Sequence, residues 1–252
     1  MNHHLGILAH SAEGAALCFQ NFCQRGFRAL GPHDHPDVTL DLVPLARAMP
    51  AWDAGDHDAV RTILATSAER LAAAGAAFFV CPDNTAHLAL QRPGPELALP
   101  GLNLPDVVAA RAARDGRHGG TSQRSWGRVG VLGTRFTMGS TLYADALARH
   151  GVAAEVPEAA DRETVDTIIF EELLNGVFAD ASRAAIVRII ERLAARGCDA
   201  VALVCTELPL LVRPDDSPLP ILDSTALAAE AAFATATGQA PFPTWRGGPL
   251  GR

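Results

Sequence analysis

The chain has 252 residues, of which 48% are hydrophobic and 19% charged, enough for one large α/β domain or two lobes, and this excludes wholesale disorder. Its net charge of −7 argues against a protein that tracks nucleic-acid phosphates. All 21 basic residues are arginine, which excludes a lysine Schiff base, a P-loop lysine and the protein-kinase lysine.

Five cysteines (Cys18, Cys23, Cys81, Cys198 and Cys205) form an odd set, and the start MNHHLGILAH lacks the character of a secretory signal. No apolar run approaches the length of a membrane span. The expectation is a cytoplasmic protein with free thiols.

In chain order, short apolar runs alternate with alanine-rich helical patterns, the signature of βα units and parallel sheets. Strands are expected at residues 5–9, 38–43, 77–80 and 101–103, then at 128–132, 153–156, 200–204 and 218–222. Helices are expected at 58–74, 182–196 and 224–237 among others; in the second of these, Ile186, Ile189, Ile190 and Leu193 recur at helical spacing. The two sets of strands share an order. Each opens with a strand entering a small polar loop, GILAHSAEGA and then VGVLGTRFTMGS, and each later has an apolar strand ending in cysteine, AAFFVCPDNTAH and then DAVALVCTELPL. This predicts two pseudo-symmetric Rossmann-like lobes, residues 1–115 and 126–222, with a helix at about 223–238 completing the first. The polar segment 114–127 reads as their linker and 239–252 as a loosely held tail.

Ligands of open parallel sheets collect at the carboxyl ends of the strands, so the loops beginning at His10, Pro82, Gly133, Thr206 and Asp223 are the candidate site. If the lobes face one another, these loops share one cleft. Cys205, in CTELP, reads as an acid/base or nucleophilic thiol at a strand-to-helix turn, or as a small buried side chain. In Cys81-Pro82-Asp83-Asn84-Thr85-Ala86-His87, Asn84 and Thr85 are suited to holding a carboxylate. Asp83 there is either a functional carboxylate or a helix cap, or both. His87, one turn further, reads as an orienting group or a general acid. His33 and His35 invite a metal reading, but no partner with zinc spacing accompanies them. Neither GxGxxG after a strand nor GxSxG is present.

The motifs PDNTAH, VGVLGTRFTM, FEELLNG with SRAAI, GCDAVALVCTELPLLV and PILDST together resemble the cofactor-independent aspartate/glutamate racemase superfamily, from about Leu5 to Phe233. The superfamily also contains hydantoin racemases, maleate isomerases and arylmalonate decarboxylases. The resemblance implies two α/β lobes with the active site between them, no cofactor or metal, a small amino-acid or carboxylic-acid substrate, and a homodimer as a plausible assembly. It further implies two thiols facing each other across the substrate's α-carbon. Cys205 matches the second of them. The first stands immediately before Asn-Thr-Ala-His in the family, and here that place is Asp83, with Cys81 two residues earlier. An Asp83/Cys205 pair is therefore expected to abstract and return the α-proton. Carried over likewise as substrate contacts are Asn84, Thr85, Thr134 and Thr206, with Ser11 in the loop that replaces the family's glycine-rich turn. Arg47 could meet a distal carboxylate, although its surroundings, PLARAMP, match an exposed arginine better. The alternatives are an arylmalonate-type decarboxylase using Cys205 alone and a binding protein without turnover.

Overall fold

The computed structural model describes residues 2–118 and 126–251. By its contacts the chain divides into two units, one running to Leu104 and including Thr225–Gly251, the other Pro105–Ser224. The first contains β1 (Leu5–Ala9), α1 (Ala12–Ala29), β2 (Val38–Leu42), α2 (Leu45–Asp53), α3 (His57–Ala73), β3 (Phe78–Val80), α4 (His87–Leu90) and β4 (Gly101–Leu102). Then come α5 (Leu104–His118), β5 (Arg128–Leu132), α6 (Arg135–Met138), α7 (Leu142–Arg149), β6 (Ala153–Glu155) and α8 (Ala159–Thr167). After the π-helical turn Ile168–Glu172 follow α9 (Asp180–Ala195), β7 (Ala200–Leu203), α10 (Leu208–Leu211) and β8 (Ile221–Asp223). Finally α11 (Ser224–Ala236) rejoins the first unit.

Each unit is an α/β fold built on a parallel four-stranded sheet, in the orders β2-β1-β3-β4 and β6-β5-β7-β8. Strands β1, β3 and β7 are buried at every residue, which explains their continuous apolar runs: a strand covered on both faces has no reason to alternate. The outer strands β2 and β6 are only partly buried. The helical stripe read from the sequence is the core of the second unit, where Ile186, Ile189, Ile190 and Leu193 pack with Leu132, Val201 and Leu203. In the first unit α11 lies against α1 through the edge-to-face rings of Phe22 and Phe233 and the Arg25–Glu230 ion pair.

Three differences from the sequence reading bear on the layout. The last strand begins at Ile221, because residues 214–216 form a 3-10 turn and Pro218 and Pro220 cannot donate to a ladder. The polar segment expected as a linker is helical through His118; of the rest, residues 119–125 lie outside the described residues. The division between units accordingly falls at Leu104, ahead of the expected 115, and α5 is held to its own unit by Arg149 and His150 on Asp106.

The terminal segment is also anchored, against the expectation of a loose tail. Main-chain bonds join it to the first unit from Leu97 N to Arg246 O, from Gly101 N to Trp245 O and from Gly248 N to Leu90 O. Arg61, buried, donates to the carbonyls of Leu90 and Pro95, each at 2.6 Å. Gly247 has φ of +80°, and a Cβ there would stand 2.8 Å from the Arg61 guanidinium, so glycine is required twice over. Trp245 stacks on His87 with centroids 6.0 Å apart and 10° between the planes. Trp245→Ala is expected to cost about 2 kcal/mol, a discounted core truncation, read as a shift in the urea midpoint.

His87 is wholly buried with both ring nitrogens used: Nε2 accepts from Leu104 N–H at 3.2 Å, and Nδ1–H donates to Asp83 O at 3.0 Å. That pattern needs the neutral ring. Burial, outweighing the pull of Asp83, lowers its pKa from 6.5 to about 4. The unfolded chain therefore takes up this proton first as pH falls, and stability is lost from about pH 6.5 down to about 4, on the order of 3 kcal/mol in full. His87→Phe should start less stable at pH 7.5 yet show a shallower loss toward pH 4.5 in urea titrations; equal slopes in the two proteins would contradict this role.

Candidate active site

In each sheet the chain leaves its first strand toward one side and later returns to the other. The loops after β1 and β3, and after β5 and β7, therefore part at the carboxyl edge of adjacent strands. Such a reversal of strand order opens a crevice in parallel sheets. Ser11 follows β1, and Asp83, Asn84 and Thr85 follow β3. Thr134 follows β5, and Cys205 and Thr206 follow β7. Every candidate site residue thus lies at the point of reversal of its own sheet. Arg47 does not; it is exposed on α2. His33 and His35 lie against the ring of Phe27, and among the described residues no group of histidine, cysteine and carboxylate side chains could hold a metal ion.

In the first unit, Asp83 is half-buried, and its Oδ1 accepts from the N–H of Ala86 at 3.2 Å. The carboxylate therefore closes the turn that leads toward α4, although the N-cap of that helix is Ala86 and not Asp83. Its main chain is held from behind: His87 binds its carbonyl, and the Cys81 thiol points at the same oxygen from 3.7 Å. Cys81 is fully buried, and burial, reinforced by the charge of Asp83, raises its pKa well above the usual thiol value. It stays a thiol. Asn84 is also buried, while Thr85 and Ser11 are partly exposed. Ser11 is the N-cap of α1 in extended conformation, although its hydroxyl does not cap the helix.

In the second unit, Gly133 permits the close approach of β5 and β7: a Cβ would lie 2.9 Å from the Val204 side chain and 3.0 Å from its carbonyl. Thr134 then caps α6, its hydroxyl accepting from Thr137 N–H at 3.3 Å. Asp166 fixes the following residue by accepting from both the N–H and the guanidinium of Arg135, at 2.6 and 3.0 Å. At the end of β7 the Cys205 thiol donates to Oε2 of Glu207 at 3.0 Å, with both side chains buried. Behind it Ser224 donates to Leu203 O at 2.8 Å, fixing the last carbonyl of β7.

Sequence reasoning saw Cys205 but missed Glu207, two residues on. The signal was present in CTELP, since a carboxylate beside a candidate acid/base thiol can exchange a proton with it. Two negative charges at this distance in a buried site oppose each other strongly, so the pair is best served by one shared proton. The thiol can then act as acid, or as base once its proton has moved to Glu207. Also missed was His10, whose Nε2 accepts from Trp52 Nε1–H at 3.2 Å. Of the two candidates for the first-unit group, Cys81 is fully buried with its thiol on the Asp83 carbonyl. Only Asp83 is partly open to solvent.

The Asp/Glu/hydantoin racemase family model matches residues 19–232. Among solved structures, a candidate Asp/Glu racemase from Yersinia pestis is 29% identical, with a TM-score of 0.77, covering 93% of this chain and 99% of that one. An aspartate racemase homologue from Pyrococcus horikoshii OT3 is 23% identical with a TM-score of 0.74, over 94% of this chain and all of the other. Glutamate racemase from Francisella tularensis, solved with D-glutamate, shares the fold at 13% identity and a TM-score of 0.64, over 97% and 86% of the two chains. On the extent of the family match, this chain belongs to the Asp/Glu/hydantoin racemase family.

Proposed function

We propose that the protein removes the α-proton of a small amino acid or related carboxylic acid and returns a proton on the opposite face, without pyridoxal phosphate. The observation that carries this reading is the placement of a half-exposed carboxylate, Asp83, and a carboxylate-bonded thiol, Cys205, at corresponding reversals of strand order in two similar sheets. Inversion needs an acid and a base on opposite sides of one carbon. Two equivalent edges, each offering one group, supply such a pair if both address the same substrate. The absence of lysine from the sequence supports a mechanism that does not begin from a lysine-bound cofactor.

In one direction, Asp83 takes the α-proton and leaves the electron pair on the α-carbon, delocalised into the adjoining carboxylate. Cys205 gives its thiol proton to the opposite face; the site resets when Asp83 loses its proton to water and the thiolate gains one from water by way of Glu207. In the other direction, the Cys205 proton first moves to Glu207, the thiolate takes the α-proton, and protonated Asp83 returns one. Asn84, Thr85, Thr134, Thr206 and Ser11 are the groups we assign to holding the substrate's polar ends. The five free thiols fit a reducing compartment such as the cytoplasm, and no described helix is long and apolar enough to cross a membrane.

A second reading has one observation in its favour. The Cys81 thiol is turned onto the Asp83 carbonyl, and if it takes no part Cys205 is the acting thiol, as in a carbon–carbon lyase that protonates from one side. Arylmalonate decarboxylase shares the fold, at 16% identity and a TM-score of 0.50. Release of CO2 from an arylmalonate, without α-hydrogen exchange of any amino acid, would favour that reading.

Screening both enantiomers of a panel of amino acids in heavy water, with α-exchange followed by NMR, tests the proposal. On an exchanging substrate, Asp83→Asn should abolish racemisation but leave exchange of the enantiomer whose α-hydrogen faces Cys205. Cys81→Ala should keep near-normal rates. An inactive Cys81→Ala beside an active Asp83→Asn would reverse the assignment.

Cys205→Ser should lower racemisation by about two orders of magnitude or more, because a serine hydroxyl is far less acidic. Glu207→Gln keeps a hydrogen-bond acceptor for the thiol but no base. It should lose at least about tenfold in kcat with an unchanged urea midpoint. Wild-type kcat in Glu207→Gln would remove Glu207 from the mechanism.

A further inference from the structure

His10 is the residue between the end of β1 and the N-cap of α1, and its side chain is 1% exposed. An indole N–H can only donate, so the 3.2 Å bond from Trp52 Nε1 makes His10 Nε2 an acceptor. The neutral ring must then carry its proton on Nδ1. That buried Nδ1–H finds no hydrogen-bond partner among the described residues. A donor left in this condition costs about 1–3 kcal/mol, and the chain meets that cost at the carboxyl end of β1, where the strand order reverses.

The start of α1 favours an acceptor of negative charge here. The 18-residue α1 begins at the next residue but one and presents the N–H groups of its first turn, with the positive end of its dipole, at this edge. The one acidic group in the first turn, Glu13, is exposed. A neutral donor beside helix amides suits an anion with two oxygens and offers no second full charge to trap it.

We propose that His10 Nδ1–H is a binding donor for a substrate carboxylate, and that Trp52 is a positioning residue that holds the imidazole in the donating tautomer. This rests on the reading of the site given above and adds a specificity-determining group to it. As the α-proton leaves, charge grows on the carboxylate next to the carbanion. A fixed, neutral donor to that carboxylate strengthens as the charge grows and needs no reorganisation.

The test uses the whole chain labelled with 15N-histidine. In the free protein, the His10 signals should show the Nδ1–H tautomer directly. Addition of malonate, or of either enantiomer of aspartate or glutamate, should move the Nδ1 proton downfield in a saturable way. His10→Gln places an acceptor for Trp52 but no donor at the Nδ1 position, and should weaken binding of the same carboxylate about tenfold or more, raising KM. His10→Asn puts an amide donor near Nδ1 and should restore most of that affinity. An Nε2–H tautomer, a His10 signal unmoved by all these carboxylates, or an equal response to sulfate would each overturn the proposal. α-Deuterium exchange recorded on the same samples separates the two claims. Exchange with an unmoved His10 sinks this inference alone, whereas a moved His10 without exchange of any amino acid in the panel leaves it standing and sinks the racemase reading.

Discussion

A parallel sheet can open only where its chain changes direction. In both units the first strand lies inside the sheet, its successor pairs on one side, and the chain then crosses to pair on the other. The two loops at that reversal part, and strand packing holds their roots. Burial of β1, β3 and β7 on both faces keeps those roots rigid. The candidate residues depend on this constraint, because none of them lies on a long helix or a mobile tip. Asp83 is three residues past β3, and Cys205 is two past β7.

Around this frame, the buried polar groups divide into those that support and those that react. His87 uses both ring nitrogens internally, and Cys81 is sealed and held as a thiol, so the chemistry of each is exhausted by holding the Asp83 turn. Trp245 extends that support to the terminal segment, which lies outside the residues matched by the family model. The Cys205–Glu207 pair is different, since the bond between them is one through which a proton can move. Cys198 makes a useful contrast. Burial first, and then the charge of Glu155, push its thiol up to about 11, and it stands two residues before β7, at the opposite end of that strand from Cys205.

Much of this was legible in the sequence because the informative contacts are local or periodic. Strands at 5–9 and 128–132 agree to the residue, since each is a short, mostly apolar run between polar segments, buried throughout in the first and from Val129 on in the second. Ser11, Asp83, Thr134 and Cys205 could be placed at strand ends for the same reason. What was missed depends on distant partners. The segment RDGRH lacks an apolar stripe of its own and looked like a linker, yet it continues α5, whose apolar face lies earlier, at Val108, Ala109, Ala112 and Ala113. Pro/Gly density suggested a loose tail, but Trp245 meets a histidine far back in the chain. The partner that fixes the His10 tautomer stands 42 residues away in another helix. Glu207 was within reach, but a side chain two residues on meets its neighbour only in a tight turn, which spacing alone does not reveal.

The central proposal is that Asp83 and Cys205 exchange the α-proton on opposite faces of one substrate carbon. A crystal structure with an exchange-active amino acid bound tests it most directly. The account requires the α-carbon to lie between the Asp83 carboxylate and the Cys205 thiol, each within about 3–3.5 Å of attack distance. A ligand held by the loops of one unit alone, or with Cys81 rather than Asp83 facing the α-carbon, would contradict it.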